Sequence, residues 1–153
     1  MTTVAANLTC MAADTKVVGG DDVYYNGTKI FVFGSNIIGV AGQGKAMTNF
    51  MRWCAEGFPE VTPDKAKGSF EALRLNAAGL FLYTDADDYW PERLTAGCHA
   101  IGSGGKAALL AMRHFNQAPR EAVTCAMLVD NNTGGDVMVY TLAELMKPKR
   151  VRK

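Results

Sequence analysis

The second residue of the chain, Thr2, carries two groups that could act together in catalysis. Initiator methionine is commonly removed before a small residue, and without Met1 the threonine presents a hydroxyl and a free α-amine on one residue. An α-amine has a reference pKa of about 7.7–8.0, so part of it is unprotonated near neutral pH and can accept the hydroxyl proton. Thr2 is therefore a candidate nucleophile with its own general base. The simpler alternative is that Thr2 is merely one of the small residues favoured after Met1.

A lysine, Lys29, lies within the strongly apolar stretch TKIFVF, which spans residues 28–33. Burying an amine without a partner is costly, and burial lowers the pKa of a lysine. Asp14 ends an equally apolar stretch near the N-terminus, which makes it the candidate partner of Lys29. The alternative is that Lys29 lies on an edge strand and keeps the sheet from aggregating.

Three glycine-containing turns supply further candidate groups. GVAGQG (39–44) and IGSGG (101–105) each precede a predicted helix, where backbone N–H groups can face an anion or a developing oxyanion. In DNNTGGD (130–136), Asp130 and Thr133 offer oxygen atoms, and the two glycines allow a tight turn.

The first of these turns also supports a rival hypothesis. Residues 39–46 fit the pattern G-x-x-x-x-G-K of a phosphate-binding loop, with Ala46 where such loops have serine or threonine. The missing hydroxyl removes a magnesium ligand, and the chain lacks the strand–helix–strand alternation of a parallel sheet. Nucleotide binding through residues 39–46 is therefore the less favoured alternative.

The elements that position these groups follow from hydrophobic periodicity and turn residues. Apolar stripes predict helices at 44–57, after residue 105 and after Pro119, with Phe115 on the buried face of the second helix and Val129 on that of the third. Strands are predicted over 2–6, 10–15, 28–33, 36–42, 69–76, 79–84 and 136–142, the last of them buried, with a further strand before IGSGG. This order predicts an α+β domain of antiparallel sheets with helices packed outside.

Composition limits the classes of protein that fit. A chain of 153 residues with 48% apolar residues and a net charge of +1 predicts a single domain over 1–146, followed by a flexible basic tail over 147–153. Near-neutral charge argues against a nucleic-acid partner. No apolar run approaches the roughly 18 residues of a membrane span, and no signal peptide precedes the body, so cytoplasm is expected. The four cysteines form no C-x-x-C pair, and neither a metal nor a cofactor is expected.

Together, the motifs come in a familiar order and spacing. TTV at the N-terminus, Asp14, Lys29 and the three glycine-containing turns resemble the proteasome β-subunit family, and most of all its bacterial HslV-type and other short proteasome-like peptidases. The resemblance covers residues 2 to about 142. It implies the N-terminal nucleophile hydrolase fold, a four-layer αββα sandwich of two antiparallel sheets with helices outside.

The resemblance also implies catalytic roles. Thr2 would be the nucleophile and its own amine the general base. Asp14 and Lys29 would form the buried pair that orients Thr2 and favours loss of its proton, and Gly42 would donate its N–H to the oxyanion.

Five more positions follow from the same resemblance. Ser103, Asp130 and Thr133 would lie around the terminal amine. Val40 and Gly44 would shape a modest apolar pocket for the residue before the cleaved bond.

The function implied is a threonine-type endopeptidase that cleaves peptides or unfolded proteins. Its expected partners are identical subunits in a ring or stacked rings and, as a further candidate, an ATP-dependent unfoldase. The alternative from another class is a catalytically silent ring or scaffold protein of the same fold. One departure from the HslV-type pattern is the short segment FPEVTPDKAKG (58–68), where those chains have a further helix.

Overall fold

The computed structural model describes residues 2–19, 21–64, 66–86 and 89–147. Its strands are β1 (Thr3–Asn7), β2 (Cys10–Asp14), β3 (Val17–Gly19), β4 (Asp22–Tyr24), β5 (Ile30–Phe33), β6 (Asn36–Gln43), β7 (Gly68–Asn76), β8 (Gly79–Thr84), β9 (Glu92–Arg93), β10 (Cys98–Gly102) and β11 (Val137–Thr141). Its helices are α1 (Gly44–Ala55), α2 (Gly105–His114), α3 (Pro119–Met127) and α4 (Leu142–Leu145). Met1 and residues 148–153 of the predicted basic tail lie outside the described residues, so the boundary of a single domain over 1–146 stays a prediction.

Two antiparallel sheets form the centre of the fold. One has four strands in the order β10-β1-β2-β11, the other has five in the order β5-β6-β7-β8-β9, and β3 and β4 form a separate hairpin. Helices α2 and α3 cover the outer face of the four-stranded sheet, while α1 covers the outer face of the five-stranded sheet. The four-layer αββα sandwich predicted from the sequence is therefore confirmed.

Side-chain alternation along β1 explains how one strand serves two cores. Val4 and Ala6 face the other sheet, whereas Ala5 packs against α2 and α3 together with Ala12 of β2. The small side chains on that outer face let the two helices approach the sheet closely. The third core, between α1 and the five-stranded sheet, is aromatic and centres on Phe50. Every face of the two large sheets is therefore engaged in packing.

The turn between β1 and β2 sets the register that the site depends on. The side-chain oxygen of Asn7 accepts hydrogen bonds from the N–H groups of Thr9 and Cys10, each at 2.9 Å. This closes the predicted turn and pairs Val4 with Ala13. Asp14, the next residue along β2, consequently lies beside Thr3.

The structure departs from the sequence-based prediction mainly at the ends of helices. Helix α2 ends at His114, because Asn116 adopts a left-handed φ of 51° that a helix cannot continue through. Phe115, predicted on the buried face of α2, is consequently 67% exposed. Val129 lies beyond the end of α3 and is 73% exposed rather than buried. Strand β11 is half-buried, and the hairpin β3–β4 and helix α4 were not predicted.

Between α1 and β7, the described residues (56–64 and 66–67) form no helix, as the short intervening segment predicts. Of the helices in the described ranges, none is long and apolar enough to span a bilayer.

Candidate active site

Thr2 immediately precedes β1 and lines a cavity formed by strand ends from both sheets. The Ser103 N–H donates to the Thr2 carbonyl oxygen at 2.9 Å, which fixes the main chain there. Gly102 makes this approach feasible, because a Cβ at position 102 would lie 1.9 Å from the same oxygen. Its φ of 86° is also one that favours glycine. The turn after β10 is thus shaped to hold the residue proposed as nucleophile.

A buried ion pair lies beside the peptide bond between Thr2 and Thr3. The Lys29 amine contacts Asp14 Oδ1 at 2.7 Å, and the two residues are 4% and 1% exposed. The same Asp14 oxygen accepts the N–H of Thr3 at 2.8 Å, and Oδ2 accepts the N–H of Gly134 at 3.1 Å. The amine also donates to the Lys16 carbonyl. The interpretation of Lys29 as a solvent-facing edge lysine is therefore wrong, and the predicted pairing is observed.

Burial lowers the pKa of the Lys29 amine below its ordinary value, and the hydrogen bond and charge of Asp14 offset part of that effect. A buried pair with all its partners in place is costly to disturb, because removing one member leaves the other charged and unpaired.

A second network joins the turn after β10 to the turn before β11. Asp130 Oδ2 accepts hydrogen bonds from the Ser103 hydroxyl at 2.7 Å and from the Thr133 hydroxyl at 2.6 Å. Burial raises the pKa of Asp130, but these hydrogen bonds and those from Asn132 outweigh it and hold the pKa below its ordinary value. The Asp130 carboxylate is therefore well suited to anchor both hydroxyls.

Thr3 extends this network and was not singled out from the sequence. Its hydroxyl lies 2.6 Å from that of Thr133 and accepts the Gly104 N–H at 3.1 Å, and the residue is fully buried. Thr3 could have been recognised from the sequence because its hydroxyl lies on the same face of β1 as Ala5, where an apolar side chain would be expected. Buried hydroxyls of this kind are stable only when hydrogen-bonded, as Thr3 is.

The three site residues predicted within 39–44, which are Val40, Gly42 and Gly44, lie in different surroundings. Gly42 lines the cavity, and its Cα lies so near β7 that a Cβ would be 2.3 Å from the Ser69 carbonyl oxygen. Val40 instead packs in the aromatic core beside Phe50, and Gly44 is the first residue of α1. Neither Val40 nor Gly44 is among the residues that line the cavity. Their role in substrate selection stays a prediction.

The cavity beside Thr2 has a volume of about 490 Å³, a size typical of ligand-binding sites. Two carboxylate residues, Glu71 and Asp85, contribute to its wall. Because Val40 and Gly44 do not line this cavity, the modest apolar pocket expected from them stays a prediction. The residues that line the cavity are Thr2, Ala41, Gly42, Gln43, Ser69, Phe70, Glu71, Asp85, Gly102 and Ser103. Within the described part of the chain, no group of three or more histidine, cysteine or acidic residues could hold a metal ion.

The nucleotide-binding alternative is inconsistent with the structure. Residues 39–43 belong to strand β6, where they pair in register with β7. A phosphate-binding loop instead needs backbone N–H groups free to surround a phosphate. The pattern at 39–46 is therefore a strand followed by a helix rather than a phosphate loop.

Comparison with known proteins supports the fold. No family model matches the chain, and no curated protein matches it. Among solved structures, HslV from Trypanosoma brucei superposes with a TM-score of 0.72 at 20% identity, covering 91% of this chain and 98% of that one. Thiobacillus denitrificans BPH in complex with epoxomicin has a TM-score of 0.64 at 18% identity, covering 92% and 96%. The Anbu (Gly-1) mutant from Hyphomicrobium sp. strain MC1 has a TM-score of 0.64 at 12% identity, covering 92% and 81%.

The chain therefore has the αββα fold of HslV and of proteasome-like peptidases, and the resemblance predicted from its sequence is confirmed at the level of the fold.

Proposed function

We propose that the chain, once it begins at Thr2, is an N-terminal threonine peptidase. The observation that carries this proposal is the buried Lys29–Asp14 pair, because Asp14 is hydrogen-bonded to the peptide N–H between Thr2 and Thr3. A buried ion pair is a poor way to stabilise a fold. Its hydrogen bond to the peptide that follows Thr2, a hydroxyl residue that lines a cavity, favours a role in positioning and activating that residue.

The proposed reaction proceeds through an acyl ester. The α-amine of Thr2 accepts the proton of the Thr2 hydroxyl as Oγ bonds to the peptide carbonyl carbon, and the carbonyl oxygen becomes an oxyanion. The N–H of Gly42 is the proposed oxyanion donor. Collapse of the oxyanion breaks the C–N bond, and the proton passes to the departing amine. Water then attacks the ester with the same amine as base, which releases the acid and restores Thr2.

The remaining residues act by placing Thr2. The positive charge of Lys29 favours the deprotonated hydroxyl during the attack. Ser103 holds the Thr2 carbonyl through its N–H and is itself tied to Asp130. We propose that Ser103, Asp130 and Thr133 together keep the terminal amine oriented toward the hydroxyl. Such positioning must supply most of the acceleration, since a threonine hydroxyl is a weak nucleophile by itself.

The decisive experiment uses epoxomicin, the compound bound to the Thiobacillus protein. Its epoxyketone has two electrophilic carbons, which match a hydroxyl and an amine on one residue. We expect intact-mass measurement to find one covalent adduct on a chain beginning at Thr2 and none on a chain retaining Met1, because Met1 converts the α-amine into an amide without a basic lone pair. The Thr2→Ala variant beginning at residue 2 is the control for reaction elsewhere. Equal labelling of both forms would overturn the mechanism.

Assembly into a homo-oligomeric ring is a separate part of the proposal. Four large apolar side chains on or just beyond α2 and α3 are more than half exposed in the single chain: Leu110, Phe115, Leu128 and Val129. Exposed apolar groups of this size favour burial against a neighbouring subunit. We expect native mass spectrometry to find a closed oligomer and Leu128→Asp with Val129→Asp to shift it toward monomer. A wild-type chain that is monomeric at micromolar concentration would refute the ring.

A cytoplasmic location and an ATP-dependent unfoldase as a partner are further parts of the proposal.

The silent-scaffold alternative predicts the same oligomer without covalent labelling. The two measurements therefore separate a peptidase from a ring that only keeps the fold.

A further inference from the structure

We propose that the cavity beside Thr2 binds a positively charged side chain of the peptide substrate, with Glu71 and Asp85 as the residues that select it. This inference rests on the proposed peptidase activity, and it names the substrate class of that same site.

The first argument is the charge of the cavity wall. Ten described residues line the cavity; two of them are acidic and none is basic. Chain-wide charge does not explain this imbalance, because the formal net charge of the whole protein is +1. A cleft lined by one sign of charge concentrates field lines and attracts the opposite charge. A lysine or arginine side chain is the peptide group that meets this requirement.

The second argument is that both carboxylates are held in place by the main chain. Glu71 Oε2 accepts the N–H of Gly102 at 3.1 Å, and Asp85 Oδ1 accepts the N–H of Phe70 at 3.2 Å. In each case the second carboxylate oxygen has no hydrogen-bond partner among the described residues. One oxygen of each group thus fixes its orientation, and the other is available to a ligand.

The third argument is that no basic side chain of the described residues neutralises these groups. Within 4 Å, the ion pair seen in the described ranges is that of Lys29 with Asp14. Burial and the charge of Arg113 lower the pKa of His99, which opposes a positive charge on its imidazole despite the opposite effect of Glu71. The free α-amine of a chain beginning at Thr2 can balance at most one of the two carboxylates, so negative charge in the cavity is left for a substrate to balance.

The location of Glu71 ties this charge to the reacting residue. Glu71 pairs with Ala41 across β6 and β7, next to Gly42. Its hydrogen bond to Gly102 reaches the turn that holds Thr2. A cation bound by Glu71 would consequently lie in the same cavity as the Thr2 hydroxyl, which is the geometry needed for selection at a residue near the cleaved bond.

The test compares internally quenched peptides that differ at one position. Lysine, norleucine or glutamate is placed either directly before or directly after the cleaved bond, and kcat/KM is measured for the chain beginning at Thr2. In one of the two series we expect about tenfold higher kcat/KM for lysine than for norleucine, the size of effect that a hydrogen bond to a charged group produces. Glutamate is expected to be the poorest residue in that series. Added salt should reduce the preference, because it screens the charges.

The variants Glu71→Gln and Asp85→Asn keep an amide oxygen for the main-chain N–H but remove the charge. Each is expected to lower the lysine-to-norleucine ratio, and the double variant is expected to bring the ratio close to one. Glu60→Gln is the matched control, since Glu60 is exposed and lies outside the cavity lining. Its ratio is expected to equal that of the unaltered chain.

Three outcomes are distinguishable. Cleavage with a lysine preference that depends on Glu71 and Asp85 supports both proposals. Cleavage without a lysine preference in either series, or with a preference that survives the double variant, overturns this inference and leaves the peptidase proposal intact. No cleavage in any series together with no epoxomicin adduct overturns the peptidase proposal, and this inference falls with it.

Discussion

Replacing Thr2 with alanine in a chain that begins at residue 2 is expected to lower kcat/KM for peptide hydrolysis by about 10⁴-fold or more. Alanine keeps the α-amine but removes the oxygen that forms the ester, so no acyl intermediate can form. Because Thr2 is only partly buried and the hydrogen bonds from Ser103 reach its main-chain carbonyl, the variant should fold normally. The measurement is kcat/KM with a fluorogenic peptide, accompanied by thermal unfolding.

Two further variants sharpen this test. Thr2→Ser keeps a hydroxyl on the same atom position and is expected to retain measurable activity. Thr124→Ala makes the same side-chain change at an exposed position of α3, outside the cavity lining, and should retain full activity. Turnover by a folded Thr2→Ala variant at the rate of the unaltered chain would remove Thr2 as the nucleophile.

Replacing Lys29 with methionine is expected to cost both activity and stability. Methionine nearly fills the volume of the lysine side chain but leaves Asp14 buried without its positive partner, and breaking a buried pair in this way costs about 3–5 kcal/mol of unfolding free energy. Peptide hydrolysis should fall to background, since the charge that favours loss of the Thr2 proton is gone. Chemical denaturation measures the first effect and kcat/KM the second.

The double variant Asp14→Asn with Lys29→Met separates these two effects. Removing both charges should restore part of the lost stability, while the activity should stay at background. Lys147→Met, at an exposed position remote from the pair, is the matched control and should change the unfolding free energy by less than about 0.5 kcal/mol. A Lys29→Met protein as stable and active as the unaltered chain would show that the ion pair has neither role.

The main features of the fold could be predicted because they depend on local patterns. The turn at Asn7, the glycines before α1 and α2, and Pro119 at the start of α3 act within a few residues of their own position. Helix ends were less predictable. The periodic apolar stripe of the sequence continues through Phe115. Helix α2 nevertheless ends at His114, because Asn116 has a left-handed backbone conformation.

The residues of the candidate site also differ in how far they could be predicted from the sequence. The Lys29–Asp14 pair could be predicted from the cost of burying an amine in an apolar stretch, which is a property of the sequence itself. Glu71 and Asp85 could not, because each looks like an ordinary polar residue on or just after a strand. They become neighbours of Thr2 only when the two sheets pack face to face. Val40, expected at the pocket, faces the aromatic core because the pleat of β6 turns it away from the lining residue Ala41.

The hydrogen bonds that surround the N-terminus have a consequence for how the protein is made. Thr3 is joined to Thr133, 130 residues away, and Ser103 lies 101 residues from Thr2. Strand β1 also needs β10 to complete its pairing on one side. A ribosome produces the first residues long before the last, so the growing chain carries Thr2 without the groups that position it. Closing such long loops is slow and occurs late in folding. The chain therefore completes this site only after nearly all of it has been synthesised, so a partly synthesised chain lacks the arrangement proposed for catalysis.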